Sequence, residues 1–289
     1  MDVIKEYIDL ASAQGWPYML IDWQWYGPYN EAKADITKPA PQLDMPEILR
    51  YAKEKGVRIW LWLYSSDVNR NDAYKEAFKL YQKWGVAGIK IDFMDRQDQY
   101  MVNWYRRIIE EAAKCQLMVN LHGAYKPDGI ERTWPNMMTR EGARGMEWNA
   151  WSEGNSSIHL CTLPYTRLLS GPMDYTPGVF DIYYKTGRAM GMDHWNGDNT
   201  KVFIKTTLAR QIANWVLIYS PLQMACDLIE NYEGHPAFQF FRDFDPDCDW
   251  SEALAGEIGD YIVIARRAGE NFFLGAGTND EPRTVTAKL

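Results

Sequence analysis

The stretch VRIWLWLYSSDVNRNDAYKEAFKLYQKWGVAGIKIDF, residues 57–93, contains the pattern of a strand, a helix and a second strand. VRIWLWLYSS is an almost continuous apolar run that predicts a buried strand, and VAGIKIDF predicts another. NDAYKEAFKLYQKWG, between them, has the apolar spacing of a helix and ends in a glycine. Strands that alternate with helices over short connections are typical of a parallel sheet with helices packed outside it.

The same alternation continues on both sides of this stretch. The sequence predicts helices over 2–15, 43–56 and 101–115, and strands within 18–27 and 117–125. Gly15 follows the first helix as its expected C-cap. Asp44 precedes the second helix as its expected N-cap, with Pro46 in the first turn. Both an open doubly wound sheet and a closed eight-stranded barrel fit this alternation.

Polar residues recur at the carboxyl ends of the predicted strands, and they favour the barrel. In (β/α)8 barrels this face carries the active site. The sequence contains no GxGxxG or GKS/T loop, which argues against a nucleotide-binding sheet. We therefore predict an α/β fold with a (β/α)8 TIM barrel. The polar strand-end residues are Asp22, Ser65 and Ser66, Asp92 with Asp95, and His122.

The second half of the chain changes character twice. Residues 124–200 are rich in loop-forming residues, and a long helix is predicted from about 206 to 219. The stretch GDYIVIARRAGENFFLGAGTND, residues 259–280, alternates between apolar and other residues around a glycine-containing turn, which predicts antiparallel hairpins. We predict a barrel over 1–250, followed by the start of a β-sandwich over 251–289.

Composition excludes several classes of function. The chain has 289 residues and a net charge of −8, which argues against a nucleic-acid or anionic-membrane partner. No 18-residue apolar run predicts a membrane span, and the amphipathic, charged start does not resemble a signal peptide. The 13 Trp and 18 Tyr fit a large core and a set of sugar-binding platforms equally well. The histidines lack HExxH spacing, so a catalytic zinc has no support.

Asp92 is the first candidate for chemistry. In a strand, Lys90 and Asp92 point to the same face, and the cation favours the ionised carboxylate. An ionised carboxylate at a strand end can attack an anomeric carbon as a nucleophile. The alternative roles for a strand-end aspartate are a loop cap and a metal ligand.

The second candidate region is TREGARGMEWNAW, residues 139–151, which contains two glutamates, Glu141 and Glu147. A glycosidase needs a second carboxyl group as its acid/base. Glu147 lies between Met146 and Trp148, and such apolar neighbours would raise the pKa of its carboxyl. On the pattern alone, the simpler interpretation of Glu141 and Glu147 is a pair of solvent-facing charges. His122, by the same reasoning, is more often a structural residue than a ligand.

Several long motifs, taken in order, give the chain a resemblance to glycoside hydrolase family 97 over about residues 1–285. The family implies an N-terminal β-super-sandwich, a (β/α)8 barrel and a C-terminal β-sandwich. The chain resembles the barrel without its first strand, and the opening strands of the last domain. The motifs are GIKIDFMDRQDQ (88–99), VNLHGAYKPDGIERTWPN (119–136), TREGARGMEWN (139–149) and SPLQMACDLIENYEGHPAFQF (220–240).

The resemblance also implies a mechanism. Inverting α-glucosidases of the family carry glutamate bases on the third and fifth barrel strands and lack an acid at the position of Asp92. Here those strands end in WLWLYSS and NLHG, and Asp92 is present. The chain is therefore similar to the retaining, exo-acting α-galactosidase branch, with Asp92 as nucleophile and Glu147 as acid/base. Double displacement requires the two carboxyl groups roughly 5–5.5 Å apart.

The resemblance carries further residues over. Asp22, Lys90 and His122 correspond to substrate-contacting residues, and Glu141 corresponds to a calcium ligand. Gly123 replaces a glutamate of the fifth strand, and the family's calcium also takes ligands from the N-terminal domain. We therefore expect an incomplete calcium site in this chain. The implied substrates are α-galactoside oligosaccharides, and the implied location is periplasmic or secreted in bacteria. The alternatives are an α-glucosidase of the same family and an inactive or sugar-binding fragment.

Overall fold

The computed structural model describes residues 1–150, 152, 154–182 and 204–288. These residues form two compact units, Met1–Arg140 and Glu141–Leu289. Part of the region predicted to be loop-rich, residues 183–200, lies outside the described residues. Among the described residues, no helix combines the length and apolar character needed to cross a membrane.

The first unit contains a five-stranded sheet whose strands are all parallel and follow one another in sequence order. The predicted alternation of strands and helices is thus confirmed in this unit. Sequential parallel order is what a (β/α)8 barrel requires, and the closed barrel stays a prediction. The strands are β1 Tyr18–Ile21, β2 Arg58–Tyr64, β3 Gly88–Asp92, β4 Met118–Leu121 and β5 Met137–Arg140. The helices are α1 Asp2–Gln14, α2 Met45–Glu54, α3 Ser65–Asn69, α4 Tyr74–Trp84 and α5 Gln99–Lys114.

Local sequence signals explain where these helices begin and end. The Asp44 carboxylate accepts a hydrogen bond from the Glu47 amide at 3.1 Å, and Asp98 caps α5 in the same way through Met101. Gly15 ends α1 in the left-handed conformation, as predicted. The caps satisfy backbone groups at the helix ends, and the apolar faces of the helices are buried.

The core of the first unit brings the backbone close to large aromatic rings. A Cβ atom on Gly88 would lie 2.7 Å from the Trp60 ring, so β3 needs a glycine at its first position. The strand that follows, through Asp92, is buried at every residue. This burial on both faces explains the nearly continuous apolar sequence of β2 and β3.

The structure corrects three local predictions. The strand β5 falls inside the region predicted to be loop-rich, because two of its four residues, Thr139 and Arg140, are polar although the fold buries them, so no apolar run marks it. Ser65 and Ser66 do not end a strand but begin α3 directly after Tyr64. The helix predicted over 206–219 is shorter, at Leu208–Leu217.

The second unit ends in a three-stranded antiparallel sheet, which confirms the predicted hairpins. Ile262 and Ile264 on its central strand join a core cluster with Leu217 and Ile218. A complete β-sandwich and the predicted boundary between 250 and 251 stay predictions. The helices are α6 Ser157–Thr162, α7 Leu208–Leu217, α8 Ile229–Tyr232 and α9 Gln239–Asp243, and the strands are β6 Trp250–Glu257, β7 Tyr261–Ala268 and β8 Asn271–Thr278.

Candidate functional site

Four of the predicted site residues lie at one edge of the parallel sheet. Asp22 follows β1, Lys90 and Asp92 belong to β3, and His122 follows β4. The carboxyl ends of neighbouring parallel strands meet at the same edge, and this brings the side chains together. The Lys90 Nζ atom lies 2.9 Å from Asp22 Oδ2, and His122 Nδ1 lies 3.6 Å from Asp92 Oδ1.

The Asp92 carboxylate is buried and held by hydrogen bonds at both oxygens. Asp92 is only 8% exposed. Its Oδ1 accepts a hydrogen bond from the Phe93 amide at 2.6 Å, and its Oδ2 accepts one from Trp62 Nε1 at 3.3 Å. The carboxylate is therefore fixed in one orientation at the end of β3.

The surroundings of Asp92 favour its ionised form. Burial raises the pKa of the carboxyl, but the hydrogen bond and charge of His122, the charge of Lys90 and the Phe93 amide together lower it below its ordinary value. The sequence pointed to Lys90 as the stabilising cation, whereas the structure gives His122 the larger effect. Asp92 therefore carries a negative charge at neutral pH.

The pKa of Asp92 provides a direct test of this arrangement. We expect ¹³C NMR of the Asp92 carboxyl to titrate below the ordinary value of about 3.9, and to titrate at higher pH in His122→Asn. A lowered pKa in the folded state stabilises the fold above the unfolded pKa, and this stabilisation is lost as pH falls through the folded value. A His235→Asn variant, which changes a histidine of the second unit, should leave the titration unchanged. An unchanged Asp92 titration in His122→Asn would contradict the assigned cause.

Lys90 and His122 are buried, whereas Asp22 is open to solvent. The Lys90 side chain is 7% exposed, and its ion-pair partner on Asp22 is 44% exposed. The ion pair therefore extends from the buried Lys90 ammonium to the solvent-exposed Asp22 carboxylate at the edge of the sheet. Such an arrangement offers both a donor and an acceptor to a polar ligand beside the Asp92 carboxylate.

The backbone beside Asp92 adopts strained conformations. Phe93 and Asp95 have φ values of 58° and 56°, in the left-handed region that few side chains favour. Residues held in this way cost on the order of 1–3 kcal/mol each and cluster at functional sites. A Cβ atom on Gly123 would lie 3.2 Å from Asp92 Oδ1 and 3.1 Å from the Phe93 nitrogen. A side chain at position 123 would therefore press on the carboxylate.

Trp62, which donates to the Asp92 carboxylate, was not predicted from the sequence as a site residue. Trp62 lies on β2, where its Cα pairs with that of Lys90, and its side chain is fully buried. In the sequence it is one apolar residue in a run of apolar residues. Trp62 could have been recognised as a site residue only from the register between β2 and β3, which the local sequence pattern does not contain.

The other two predicted residues lie in the second unit. Glu141 follows β5 directly, and Glu147 lies on a short 3₁₀ turn, Met146–Ala150. Met146 turns into the core, but Glu147 and Trp148 are exposed. Glu147 therefore lies at the surface of its unit, and the predicted effect of Met146 and Trp148 on its carboxyl stays a prediction.

Buried polar side chains hold the backbone on which Glu147 lies. Asn149 donates to the Met146 carbonyl at 2.6 Å and accepts from the Asn155 amide at 2.9 Å. The Asn155 side chain donates to the Gly145 carbonyl at 2.7 Å. Each side of the turn is thus fixed by hydrogen bonds that are shielded from water, so the backbone at Glu147 is held in one conformation.

Glu141 is fixed by a different residue. Arg167 is buried and donates to the Glu141 carbonyl at 3.2 Å. It also donates to the carbonyls of Gly171 and Pro172, each at 2.9 Å. One guanidinium thus ties the segment after β5 to a neighbouring loop of the same unit.

Glu141 and Glu147 are close enough to bind the same ion. An oxygen of each carboxylate lies within 4.8 Å of an oxygen of the other. Two oxygens bound to one calcium ion, each at about 2.3–2.6 Å, span a similar distance. The pair can supply up to about four of the six to eight oxygens that calcium needs. The donor chemistry thus fits calcium, but two carboxylates form only part of a site.

Comparisons with known proteins place both ends of the chain in one family. Residues 1–143 match the family model described as "Glycoside hydrolase 97". Residues 247–289 match the model described as "Glycosyl-hydrolase 97 C-terminal, oligomerisation".

Two curated relatives are similar over nearly the whole chain. A "Probable retaining alpha-galactosidase" of Streptomyces bingchenggensis is 35% identical over 274 residues, which are 94% of this chain and 40% of the relative. A "Retaining alpha-galactosidase" of Bacteroides thetaiotaomicron is 34% identical over 284 residues, 97% of this chain and 41% of the relative. The chain therefore spans about two fifths of the length of these relatives.

A solved structure is similar in fold as well as in sequence. The glycoside hydrolase family 97 enzyme of Pseudoalteromonas sp. strain K8, in complex with panose, is 34% identical with a TM-score of 0.86. The similarity covers 98% of this chain and 46% of that enzyme. The same enzyme has also been solved in complex with acarbose.

Proposed function

Because this chain belongs to glycoside hydrolase family 97, we propose that it is the catalytic part of a glycosidase, a retaining exo-acting α-galactosidase. The observation that carries the proposal is the buried Asp92 carboxylate, which is held ionised and oriented at the carboxyl edge of the parallel sheet. Two relatives named as retaining α-galactosidases, at 35% and 34% identity, support the same branch of the family.

In the first proposed step, an oxygen of Asp92 attacks the anomeric carbon of an α-galactoside. The bond from this carbon to the leaving oxygen breaks as Glu147 transfers a proton to that oxygen. The product is a β-linked galactosyl ester of Asp92. We assign the attack to Oδ2, because its bond from Trp62 at 3.3 Å is longer than the 2.6 Å bond that Oδ1 accepts from the Phe93 amide. The longer bond withdraws less electron density.

In the second proposed step, Glu147 acts as a base. It removes a proton from water, the water oxygen bonds to the anomeric carbon, and the ester bond to Asp92 breaks. Galactose leaves with its original α configuration. Asp22, Lys90 and His122 bind hydroxyl groups of the sugar, because they surround Asp92 with donors and acceptors.

Gly123 supports a nucleophile at Asp92. A Cβ atom at this position would lie 3.2 Å from Asp92 Oδ1, so a glutamate there would place a second negative charge against the carboxylate. Inverting members of the family are expected to carry that glutamate and to lack the aspartate. The chain has the opposite combination, in which glycine leaves room for Asp92.

The proposed architecture extends beyond the five-stranded parallel sheet. We propose that the parallel strands belong to a (β/α)8 barrel over 1–250 and that 251–289 begin a β-sandwich. We also propose that Glu141 binds calcium together with oxygens from outside this pair of glutamates. Bound calcium would supply positive charge near the reacting sugar. The substrates of the proposed enzyme would be α-galactoside oligosaccharides.

The second candidate is an α-glucosidase of the same family. The Pseudoalteromonas enzyme, solved with acarbose and panose, is as similar in sequence as the relatives named α-galactosidases. Axial and equatorial O4 differ by one hydroxyl position, so the preference depends on contacts in the loops. The third candidate, a sugar-binding fragment without activity, is relevant because the chain spans two fifths of its relatives.

Hydrolysis of matched substrates tests the proposal. We expect this chain, supplied with calcium, to hydrolyse 4-nitrophenyl α-galactoside faster than the α-glucoside, and ¹H NMR to show α-galactose as the first product. Faster turnover of the glucoside would favour the second candidate. β-Galactose as the first product would contradict the retaining mechanism, and a folded chain that binds galactose without turnover would support the third candidate.

A further inference from the structure

Trp23 is a large aromatic residue that stands open to solvent directly after Asp22. It is 41% exposed, whereas the tryptophan next to it in space, Trp62, is fully buried. The two rings are stacked, with centroids 5.5 Å apart and planes at 19°. Tyr29 and Phe93 contact Trp23 edge-on, at 5.3 and 5.9 Å. Trp23 therefore packs against an aromatic cluster on one side and stays accessible on another.

Trp62 connects Trp23 to the proposed nucleophile. The Trp62 indole donates its N–H to Asp92 Oδ2 at 3.3 Å and stacks on Trp23. Trp23 is thus one ring further from the reacting carboxylate than Trp62. If Asp22, Lys90 and His122 hold the sugar bonded to Asp92, as proposed, the exposed ring of Trp23 is left for the next sugar.

The loop that carries Trp23 is held rigidly. Asp67, which is 2% exposed, accepts hydrogen bonds on Oδ2 from the Tyr26 hydroxyl at 2.9 Å and from the Asn30 amide at 2.8 Å. Trp25 donates to the Trp62 carbonyl at 2.6 Å. Trp23 itself has φ 57°, a strained value for a bulky residue. A conformation of this kind persists only where its surroundings determine it, so the backbone that carries the ring has a fixed position.

We propose that Trp23 binds the sugar ring on the leaving-group side of the cleaved bond. One face of a pyranose presents C–H groups that pack on an aromatic plane, while its hydroxyls reach polar groups at the rim. A flat, rigid and partly exposed indole beside a ring of polar side chains suits such a ligand better than it suits a purely apolar one. This inference rests on the proposed function and names which part of an oligosaccharide Trp23 would contact.

A binding experiment separates this inference from the proposed function. In an Asp92→Asn background, which removes the nucleophile, we expect calorimetry to show melibiose bound about tenfold more tightly than galactose. Adding Trp23→Ala should bring melibiose to the affinity of galactose and change galactose binding by less than about twofold. Trp23→Phe should keep most of the difference, because it retains an aromatic face.

Phe272→Ala, which removes an exposed aromatic ring from β8, should leave both affinities unchanged, and thermal unfolding should show that each variant is folded. Equal affinities for melibiose and galactose before Trp23 is changed would overturn the inference, as would a Trp23→Ala variant that weakens both sugars equally or neither. Binding of neither sugar by a folded protein would contradict the proposed function, and the inference with it.

Discussion

Replacing Asp92 with alanine is expected to abolish hydrolysis of 4-nitrophenyl α-galactoside, with a loss of roughly 10⁴-fold or more in kcat. The reason is that the first step forms a bond to the carboxylate, which alanine lacks. Asp92 owes its orientation to hydrogen bonds at both oxygens, from Phe93 and Trp62. Stopped assays with 4-nitrophenol release measure the loss.

Azide distinguishes a missing nucleophile from a damaged site. In Asp92→Ala, azide can enter the space left by the carboxylate and attack the anomeric carbon directly, which gives β-galactosyl azide with restored turnover. Asp98→Asn is the matched control, because asparagine replaces the exposed helix cap of α5 with an equally good cap. This variant should keep full activity. Full activity of the Asp92→Ala variant without azide would exclude Asp92 as the nucleophile.

Replacing Glu147 with alanine is expected to slow hydrolysis according to the leaving group. Protonation of the leaving oxygen contributes about 10²–10⁴-fold, so melibiose should lose that much in kcat/KM. α-Galactosyl fluoride, whose leaving group needs little protonation, should lose far less in its first step. The comparison of the two substrates in steady-state kinetics measures the difference.

The products of the Glu147 variant add a second readout. Azide should attack the covalent intermediate, which needs no general base for this nucleophile, and give α-galactosyl azide, the opposite anomer to that from Asp92→Ala. The kcat/KM profile should also lose its basic limb. Glu230→Gln, a change of an exposed glutamate on α8, is the matched control and should behave like the parent protein. Equal losses on both substrates would argue against an acid/base role for Glu147.

The local elements of the first unit were predictable because their signals are local. The Asp44 cap and Gly15 bracket helices through hydrogen bonds and backbone conformations that involve only neighbouring residues. The alternation of helices and apolar strands then indicated parallel order, which the sheet confirms. The strand β5 escaped prediction because Thr139 and Arg140 are buried polar residues, which leave no apolar run to separate it from a loop.

The candidate site was predictable as a set of residues rather than as an arrangement. Polar residues at successive strand ends pointed to Asp22, Asp92 and His122, since parallel strands bring their ends to one edge. The surroundings of Glu147 were not predictable, because Met146 is buried in the 3₁₀ turn whereas Glu147 and Trp148 are exposed. Direction within a turn depends on its backbone geometry, which composition does not specify.

The sequence by itself determined the longer helices, most of the strands and the residue types available for chemistry, because these depend on periodicity and on caps within a few residues. Only the tertiary structure decided which groups touch. Trp62 reaches Asp92 across 30 residues, and Lys90 reaches Asp22 across 68. Both contacts follow from strand register and from the order of strands in the sheet. Register is set by packing across the whole sheet, where a shift of one residue would turn every side chain to the opposite face.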